Sequence, residues 1–240
     1  SDAAIRTNRM EWTVGSPDLK PNREAYHKLQ FSYTGSRLQA NLQGFYKVCR
    51  RPNMAVYERT ADNRFVYTQR NQKEIDALLL MAYASYWLLP EKLSFTAYGG
   101  LFRCFNFGDD YTHCYTSYFA TGSLNAYLGP FSLYVYADNG SRFLEGETKG
   151  YSGGDIVLKA AYTYRDWQFA LNWQQPLQSR YKMYETEILN RNLHKKTALY
   201  STDSSNLVSL TVTWRLNKGR RFREINRSIE LKDNDTGIIQ

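Results

Sequence analysis

One stretch of the sequence has the spacing of a catalytic motif. Gly150-Tyr151-Ser152-Gly153-Gly154 matches the G-x-S-x-G pattern that places a nucleophilic serine. Such a serine needs a strand before it, a helix after it, and histidine and acidic partners close in space. The surrounding sequence predicts a loop followed by a strand, so the glycines are interpreted as turn residues. The chain is therefore not predicted to be an enzyme.

Metal binding would require His, Cys, Asp or Glu side chains at suitable spacing. His113 lies beside Asp109, Asp110 and Cys114 in one predicted loop, where these side chains could bind a metal or simply face solvent. Residues 233–237 look like a calcium-binding loop but lack the distal glutamate. The histidines are too scattered to specify a site: His27, His113 and His194. We predict neither a metal nor a cofactor.

The sequence has three cysteines, an odd number. Cys104 and Cys114 flank one predicted hairpin loop and could face each other across it. A disulfide there would fit an oxidising compartment, but two small buried thiols explain the same pattern equally well. Cys49 has no evident partner.

Aromatic and charged residues in the long predicted loops are candidates for ligand binding. Loops held on a rigid scaffold commonly carry binding sites, and Tyr and Arg are frequent anchors of recognition. The alternative for each residue is that it only makes the loop soluble. The candidates are Tyr57, Arg59, Phe65, Tyr67, Arg70, Asp109, Asp110, Tyr111, Phe143, Tyr181 and Tyr184.

The composition is unusually aromatic, with 20 Tyr, 12 Phe and 5 Trp in 240 residues. Tyr and Trp favour strands and also collect at membrane interfaces. A mean hydropathy of -0.59 is too polar for membrane helices, but a barrel strand is apolar on one face only. The net charge of +8 is scattered along the chain, so nucleic-acid binding is not predicted.

Alternation of apolar and polar residues with period two dominates the chain and predicts strands. In residues 206–216, Val208, Leu210, Val212 and Trp214 point one way and polar side chains the other. These strands have about 9 to 12 residues, enough to cross a bilayer at a tilt. Comparable alternation covers residues 38–48, 118–128, 131–138, 156–163 and 167–174.

Residues 75–87 carry a competing signal. Ile75, Leu78, Leu79 and Ala82 belong to an apolar stripe with helical spacing. The flanking segments are strands, however, and the order of hairpins requires a strand here. We therefore predict a strand, with a helix as the alternative.

The predicted connections alternate between short and long. Outer-membrane barrels have short periplasmic turns and long extracellular loops, whereas a Greek-key sandwich would not keep this order. Residues 50–74 are expected to form a hairpin of their own. The short connections are 34–37, 89–92, 129–130 and 165–166, and the long ones are 50–74, 105–113, 139–154 and 176–205.

This order predicts an all-β, antiparallel, up-and-down transmembrane β-barrel. Residues 1–23 are interpreted as a strand end and an extracellular loop, residues 24–216 as barrel strands, and residues 217–240 as a periplasmic tail. The basic cluster at 218–223 could meet anionic headgroups or be solvated. The strand count is about nine or ten, with nine evident strands, whereas single-chain bacterial outer-membrane barrels have an even number. A barrel must close so that no strand edge meets lipid, so further strands are expected upstream.

Residues 15–21, Gly-Ser-Pro-Asp-Leu-Lys-Pro, resemble the "NPxLKPE" element of TonB-dependent receptors, with Ser16 for the usual Asn and Asn22 for the usual Glu. The hairpin order and residues 219–228 are also similar to the branch known as outer membrane protein beta-barrel. The resemblance implies the last part of a barrel of about 22 strands in the outer membrane of a Gram-negative bacterium. It implies import of a metal chelate, vitamin or glycan, driven by an inner-membrane energy-coupling complex acting on a plug.

The chain contains no candidate plug or energy-coupling box, so these parts, like the missing barrel strands, would lie upstream. The first hypothesis is therefore the C-terminal barrel portion of a TonB-dependent receptor, in contact with outer-membrane lipid and with a small-molecule or glycan ligand. The second is a structural or passive pore-forming outer-membrane barrel. The third is a soluble β-barrel that binds a ligand inside.

Overall fold

The computed structural model describes residues 4–216, which contain β-strands and no helix. In this part of the chain no helix is therefore long and apolar enough to cross a membrane. The strands are β1 (Ala4–Arg6), β2 (Glu11–Val14), β3 (Arg23–Thr34), β4 (Leu38–Arg50), β5 (Asn53–Arg59), β6 (Phe65–Asn71), β7 (Glu74–Leu89), β8 (Leu93–Phe107), β9 (Thr112–Leu128), β10 (Phe131–Asp138), β11 (Ser141–Glu145), β12 (Thr148–Ser152), β13 (Ile156–Tyr164), β14 (Trp167–Gln174), β15 (Tyr181–Leu189), β16 (His194–Ser201) and β17 (Leu207–Trp214).

Nine of these strands form one antiparallel sheet, the main sheet, in the order β3-β4-β7-β8-β9-β10-β13-β14-β17. Each strand of the main sheet pairs with the next main-sheet strand along the chain, as the hairpin order predicts. Residues 75–87 lie within β7, which pairs on one side with β4 and on the other with β8. Pairing along both edges overrides the helical spacing of the apolar residues, and the predicted strand is confirmed.

The register of the main sheet separates apolar from polar side chains. One row across five strands consists of Leu124, Val135, Leu158, Trp173 and Val208. Because successive side chains point to opposite faces, the next row consists of Asn125, Tyr134, Lys159, Asn172 and Ser209. We call these two sides the apolar face and the polar face.

Large apolar side chains on the apolar face are exposed. Leu101 is 56% exposed, Leu171 45% and Leu210 67%. Monomeric soluble proteins rarely expose a continuous apolar surface of more than a few hundred Å². An apolar face that runs across nine strands therefore requires a covering that residues 4–216 do not supply.

The connections leave the main sheet in an ordered way. Tight turns at 35–37, 90–92, 129–130 and 165–166 all lie at one end, the tight-turn end. Glu91, Gly129 and Arg165 have φ between 53° and 61°, a left-handed conformation suited to short hairpin turns. The other end, the loop end, carries the first loop (51–73), the second (108–111), the third (139–155) and the fourth (175–206).

The predicted alternation of short and long connections is confirmed with one difference. The second loop has only the residues 108–111, because Phe107 still pairs with Thr112 and the strands continue into the predicted loop 105–113. β8 and β9 have 15 and 17 residues. At the loop end β9 extends beyond β10, because Asp138 pairs with Thr121, whereas β7 and β8 end level, with Glu74 paired to Phe107.

The main sheet is open within the described residues. β3 pairs only with β4, and β17 pairs only with β14, so each has one edge without a strand partner among residues 4–216. The structure is thus all-β and antiparallel in its main sheet, as predicted, without closing into a barrel. The predicted tail at 217–240, with its basic cluster and its calcium-like segment, lies outside the described residues.

The loops form two further sheets. The first loop forms the predicted hairpin, β5 paired with β6, and β2 adds in parallel to β6 with β1 beside it. The third and fourth loops together form the sheet β11-β12-β15-β16. Residues 139–155 and 175–206 are therefore joined by backbone hydrogen bonds between β12 and β15.

Two glycines of the main sheet differ in the space around them. A Cβ atom at Gly100 would overlap the carbonyl oxygen of Leu80 and lie 2.8 Å from the Phe119 ring, whereas the nearest atom at Gly122 is 4.0 Å away. Gly100→Ala should lower the free energy of unfolding by about 1–3 kcal/mol through overpacking. Gly122→Ala is the matched control and should change it by less than about 1 kcal/mol. Urea titration followed by tryptophan fluorescence measures both, and equal effects would contradict the pairing of β8 with β7 and β9.

Candidate functional site

All four loops contribute to one cavity at the loop end, which we call the outer cavity. Its volume is about 360 Å³, within the range typical of small-molecule sites. It is lined by residues 56–58, Arg70 and Gln72 of the first loop, residues 109–113 of the second loop and adjoining β9, Glu147 of the third, and residues 189–192 of the fourth.

Tyr111 is the most constrained aromatic residue of the outer cavity. Its ring stacks on His113 with 5.0 Å between ring centres, and its hydroxyl donates to the sulfur of Met54 at 3.3 Å. Burial, followed by the negative charges of Glu147 and Asp109, raises the pKa of the Tyr111 phenol well above its usual range. The phenol therefore stays protonated, and the ring presents a fixed surface on which a ligand can stack.

The third loop is anchored to the polar face of the main sheet. The amide of Gly146 donates to Oδ1 of Asn106 at 3.2 Å, and Asn106 is 0% exposed. The thiol of Cys104 donates a hydrogen bond to the carbonyl of Leu144 at 3.7 Å. The hydroxyl of Ser117 donates one to the carbonyl of Arg142 at 3.4 Å. The β11–β12 hairpin thus lies over β8 and β9 on the polar face and positions its turn in the outer cavity.

Glu147, in that turn, connects the third loop to the fourth. Its carbonyl accepts from the amide of Leu189 at 2.7 Å, and its Oε2 accepts from Nδ2 of Asn190 at 2.8 Å. The side chain is only 5% exposed. A buried carboxylate needs such hydrogen bonds to offset the loss of water, so Glu147 and Asn190 hold each other in place.

The first loop completes the wall. Gln72, which is buried, accepts from the amide of Asp109 at 2.8 Å. Tyr57 packs against Tyr67 with the rings tilted and their centres 5.2 Å apart. Burial raises the pKa of the Tyr57 phenol, with smaller contributions from Tyr67, Glu11 and Glu147. Tyr57 therefore offers a second protonated phenol close to the outer cavity.

The lining favours polar, uncharged or cationic ligand groups. Four carboxylates face two arginines, of which Arg70 is already paired with Glu58. Nε2 of His113 is buried without a hydrogen-bond partner within residues 4–216. Aromatic faces, amides and carboxylates together can stack on a ligand and exchange hydrogen bonds with its hydroxyl or amide groups.

The structure brings five of the eleven predicted binding residues together in the outer cavity: Tyr57, Arg70, Asp109, Asp110 and Tyr111. Tyr67 supports Tyr57 from the next strand. Arg59 and Phe65 lie near the tip of the first hairpin. The guanidinium of Arg59 donates to Oδ1 of Asn63 at 2.8 Å, and the backbone amide of Phe65 donates to the carbonyl of Met10 at 2.8 Å. The remaining three lie deeper in the third and fourth loops: Phe143, Tyr181 and Tyr184.

Several residues that line the outer cavity are not among those predicted from the sequence. Gln72, Glu147 and Asn190 take part only through contacts between loops that are far apart in the chain. No periodicity or motif marks them. The sequence predicts His113 as a metal ligand or a solvated loop residue, whereas in the structure its ring stacks on Tyr111, two positions earlier in the chain.

The possible disulfide between Cys104 and Cys114 does not form in the structure. Phe107 pairs with Thr112, so Cys104 is opposite Tyr115 and Cys114 is opposite Phe105. The two thiols consequently point to opposite faces of the hairpin and both are free, Cys104 buried and Cys114 exposed. The alternative prediction, two small buried thiols, is therefore correct for Cys104 but not for Cys114.

The G-x-S-x-G segment and the candidate metal ligands do not form a catalytic or metal site within residues 4–216. Residues 150–152 end β12 and are followed by β13 without an intervening helix, so the serine is not on a strand-to-helix turn. A Cβ atom at Gly154 would overlap the carbonyl of Asp138, which explains glycine there by close backbone contact. Among residues 4–216 no group of three or more His, Cys, Asp or Glu side chains could hold a metal.

Fold and cavity define an all-β protein in which loops at one end of a nine-stranded antiparallel sheet enclose a polar cavity. Comparisons of the chain with models of known protein families, with curated proteins and with solved structures give no match.

Tyr181 sets an alkaline limit to the stability of the fourth loop. Its hydroxyl donates to Oδ1 of Asp155 at 3.1 Å, and burial, followed by the charge of Asp155, raises its pKa from 10.0 to about 12. The folded loop keeps a proton that the unfolded chain releases, so this contribution is complete below pH 10 and is lost as pH rises toward about 12.

Tyr181→Phe should flatten the decline of stability across that pH range, measured as the urea midpoint at a series of pH values. Asp155→Asn removes the charge but leaves the burial, so it should reduce the decline only in part. A decline that is the same in the wild type and in Tyr181→Phe would show that another group causes it.

Proposed function

We propose that this chain is the C-terminal barrel portion of an outer-membrane receptor of the TonB-dependent type, whose loops capture a polar small-molecule or glycan ligand. In this proposal the apolar face contacts outer-membrane lipid and the polar face lines the barrel interior. Further strands continue the sheet beyond β3. They and a plug would come from sequence before residue 1, and the plug would meet the inner-membrane energy-coupling complex.

The observation that carries the proposal is the exposed apolar face. On one face of the main sheet large aliphatic or aromatic side chains are exposed on every one of the nine strands, for example Leu101, Leu171 and Leu210. The other face is mostly polar, and the exception is β7, where Leu79 and Met81 lie on it. A soluble barrel has its apolar residues inside, whereas a transmembrane barrel has them outside and polar residues within. Trp167 and Trp214 stack 5.3 Å apart near the tight-turn end, as expected of an interfacial aromatic belt.

The position of the loops supports ligand capture. The outer cavity lies at the loop end, opposite the tight turns, and the third loop covers the polar face of β8 and β9. A ligand approaching the loop end would therefore meet the outer cavity before it could reach the barrel interior.

The proline-containing element at residues 15–21, which resembles an element of TonB-dependent receptors, contacts the first loop. Its Lys20 exchanges two hydrogen bonds with the side chain of Asn71, at 2.7 Å and 2.8 Å. The element is thereby bound to the end of β6 in the first loop. It connects the chain's beginning to the loops that form the cavity.

Quenching of tryptophan fluorescence by lipids with brominated acyl chains tests the proposal. The full-length protein, reconstituted in such vesicles, should be quenched. Trp214→Phe should reduce the quenched fraction, because this ring lies on the apolar face and is 55% exposed. Trp87→Phe is the control, since Trp87 is paired with Ser94 on the other face. Purification from the aqueous fraction without detergent would instead favour the soluble barrel.

A charge on the apolar face should be costly in a bilayer. Leu171→Arg places a cation in the middle of β14, and we expect a loss of about 2–4 kcal/mol of folding free energy in lipid vesicles. Ala170→Arg is the matched control at the same depth on the polar face, and it should cost less than about 1 kcal/mol. Urea unfolding in vesicles measures both, and a larger cost at Ala170 would assign the faces the other way round.

A passive pore differs from a receptor in conductance. In a planar bilayer the full-length protein should give no steady open-channel current if a plug fills the barrel, and a steady current if none does. The full-length reading frame provides the second test, since the receptor requires a plug domain and an energy-coupling segment before residue 1.

A further inference from the structure

A second cavity lies next to the outer cavity, and we call it the inner cavity. Its volume is about 300 Å³. β9, β15 and the β11–β12 hairpin contribute to both: His113, Leu189 and the turn residue Glu147 line the outer cavity, and Tyr115, Glu187 and Lys149 line the inner one. Since β9 runs from the loop end toward the tight-turn end, the inner cavity lies deeper.

The inner cavity has the opposite charge character to the outer one. Arg142, Lys149 and Lys182 line it, and only Lys182 is paired with a carboxylate, Glu185, at 2.8 Å. Neither Arg142 nor Lys149 has a carboxylate oxygen within 4.0 Å in the described part of the chain.

The two carboxylates of the inner cavity already contact side chains of the fourth loop. Glu185 also binds Lys196 at 3.0 Å, and Glu187 contacts Nε2 of His194 at 3.0 Å. Most of their negative charge is therefore directed to partners on the fourth loop, although Glu187 is also opposite Lys149 in the β12–β15 pair and attracts it. Neither Arg142 nor Lys149 forms an ion pair within the described residues, so both can bind another anion.

Aromatic rings hold these cations in position. The guanidinium of Arg142 lies 5.0 Å from the Tyr151 ring centre, and the ammonium of Lys149 lies 5.1 Å from that of Tyr115. Lys182 lies on Tyr151 as well, at 5.6 Å. Contact with an aromatic face orients a cation without neutralising it, so the donors of Arg142 remain able to bind an oxyanion.

We propose that the inner cavity binds the oxyanion group of a ligand, a carboxylate, sulfate or phosphate, through Arg142 and Lys149. A planar guanidinium suits two oxygens of such a group, and a neighbouring ammonium adds a point charge. The site rests on the proposed function only for the route of entry. The ligand would then combine a neutral, hydroxyl- or amide-rich part in the outer cavity with an anionic part in the inner one.

Isothermal titration of the full-length protein with pyrophosphate and, separately, with citrate tests the site. At least one of these anions should bind, and Arg142→Gln and Lys149→Gln should each weaken its binding by about tenfold. Arg180→Gln is the matched control, because Arg180 also lies on a tyrosine ring, at 3.9 Å from the centre of Tyr200, but does not line the cavity. It should change the affinity by less than about twofold.

A variant that removes a negative charge from the inner cavity, and should therefore strengthen anion binding, completes the test. Glu185→Gln releases Lys182 and Lys196 from their carboxylate partner and should tighten binding of the same anion about three- to tenfold. Absence of binding by both anions, equal weakening in Arg180→Gln, or weaker binding in Glu185→Gln would each overturn the proposal. Bromolipid quenching does not depend on these residues, so the anion site and the membrane proposal fail separately.

Discussion

The hydrogen-bond register of the nine-stranded main sheet is the constraint on which the other features depend. A shift of one residue in any strand would move its aliphatic side chains to the polar face. The rows headed by Leu124 and Asn125 keep their character across five strands. Because the same register continues into the long strands β8 and β9, it also decides which residues of those strands meet the third loop.

The extent to which the sequence predicts the fold follows from this constraint. Strands such as β14 and β17 are evident because alternation repeats over their whole length, and the tight turns are marked by short polar segments. β7 required the order of hairpins to outweigh its helical spacing. The ends of β8 and β9 were misplaced because Phe105, Asn106 and Phe107 pair far into what composition suggested was a loop.

The cavities were beyond prediction for a different physical reason. They depend on contacts between loops that are distant in the chain, such as Gln72 with Asp109 and Asn106 with Gly146. Each contact is a single hydrogen bond with no periodic signature. The aromatic residues Tyr57 and Tyr111 could be proposed because rings in loops are unusual, whereas polar partners such as Asn190 resemble ordinary loop residues.

The β11–β12 hairpin has a mechanical consequence for the two cavities. Its turn residue Glu147 borders the outer cavity, and Lys149, two positions further along the chain in β12, borders the inner one. β12 is hydrogen-bonded along its length to β15, so a displacement of this hairpin changes both cavities together. A ligand that displaces the hairpin when it fills one cavity would change the free energy of filling the other, and by reciprocity the second ligand would change the first equally.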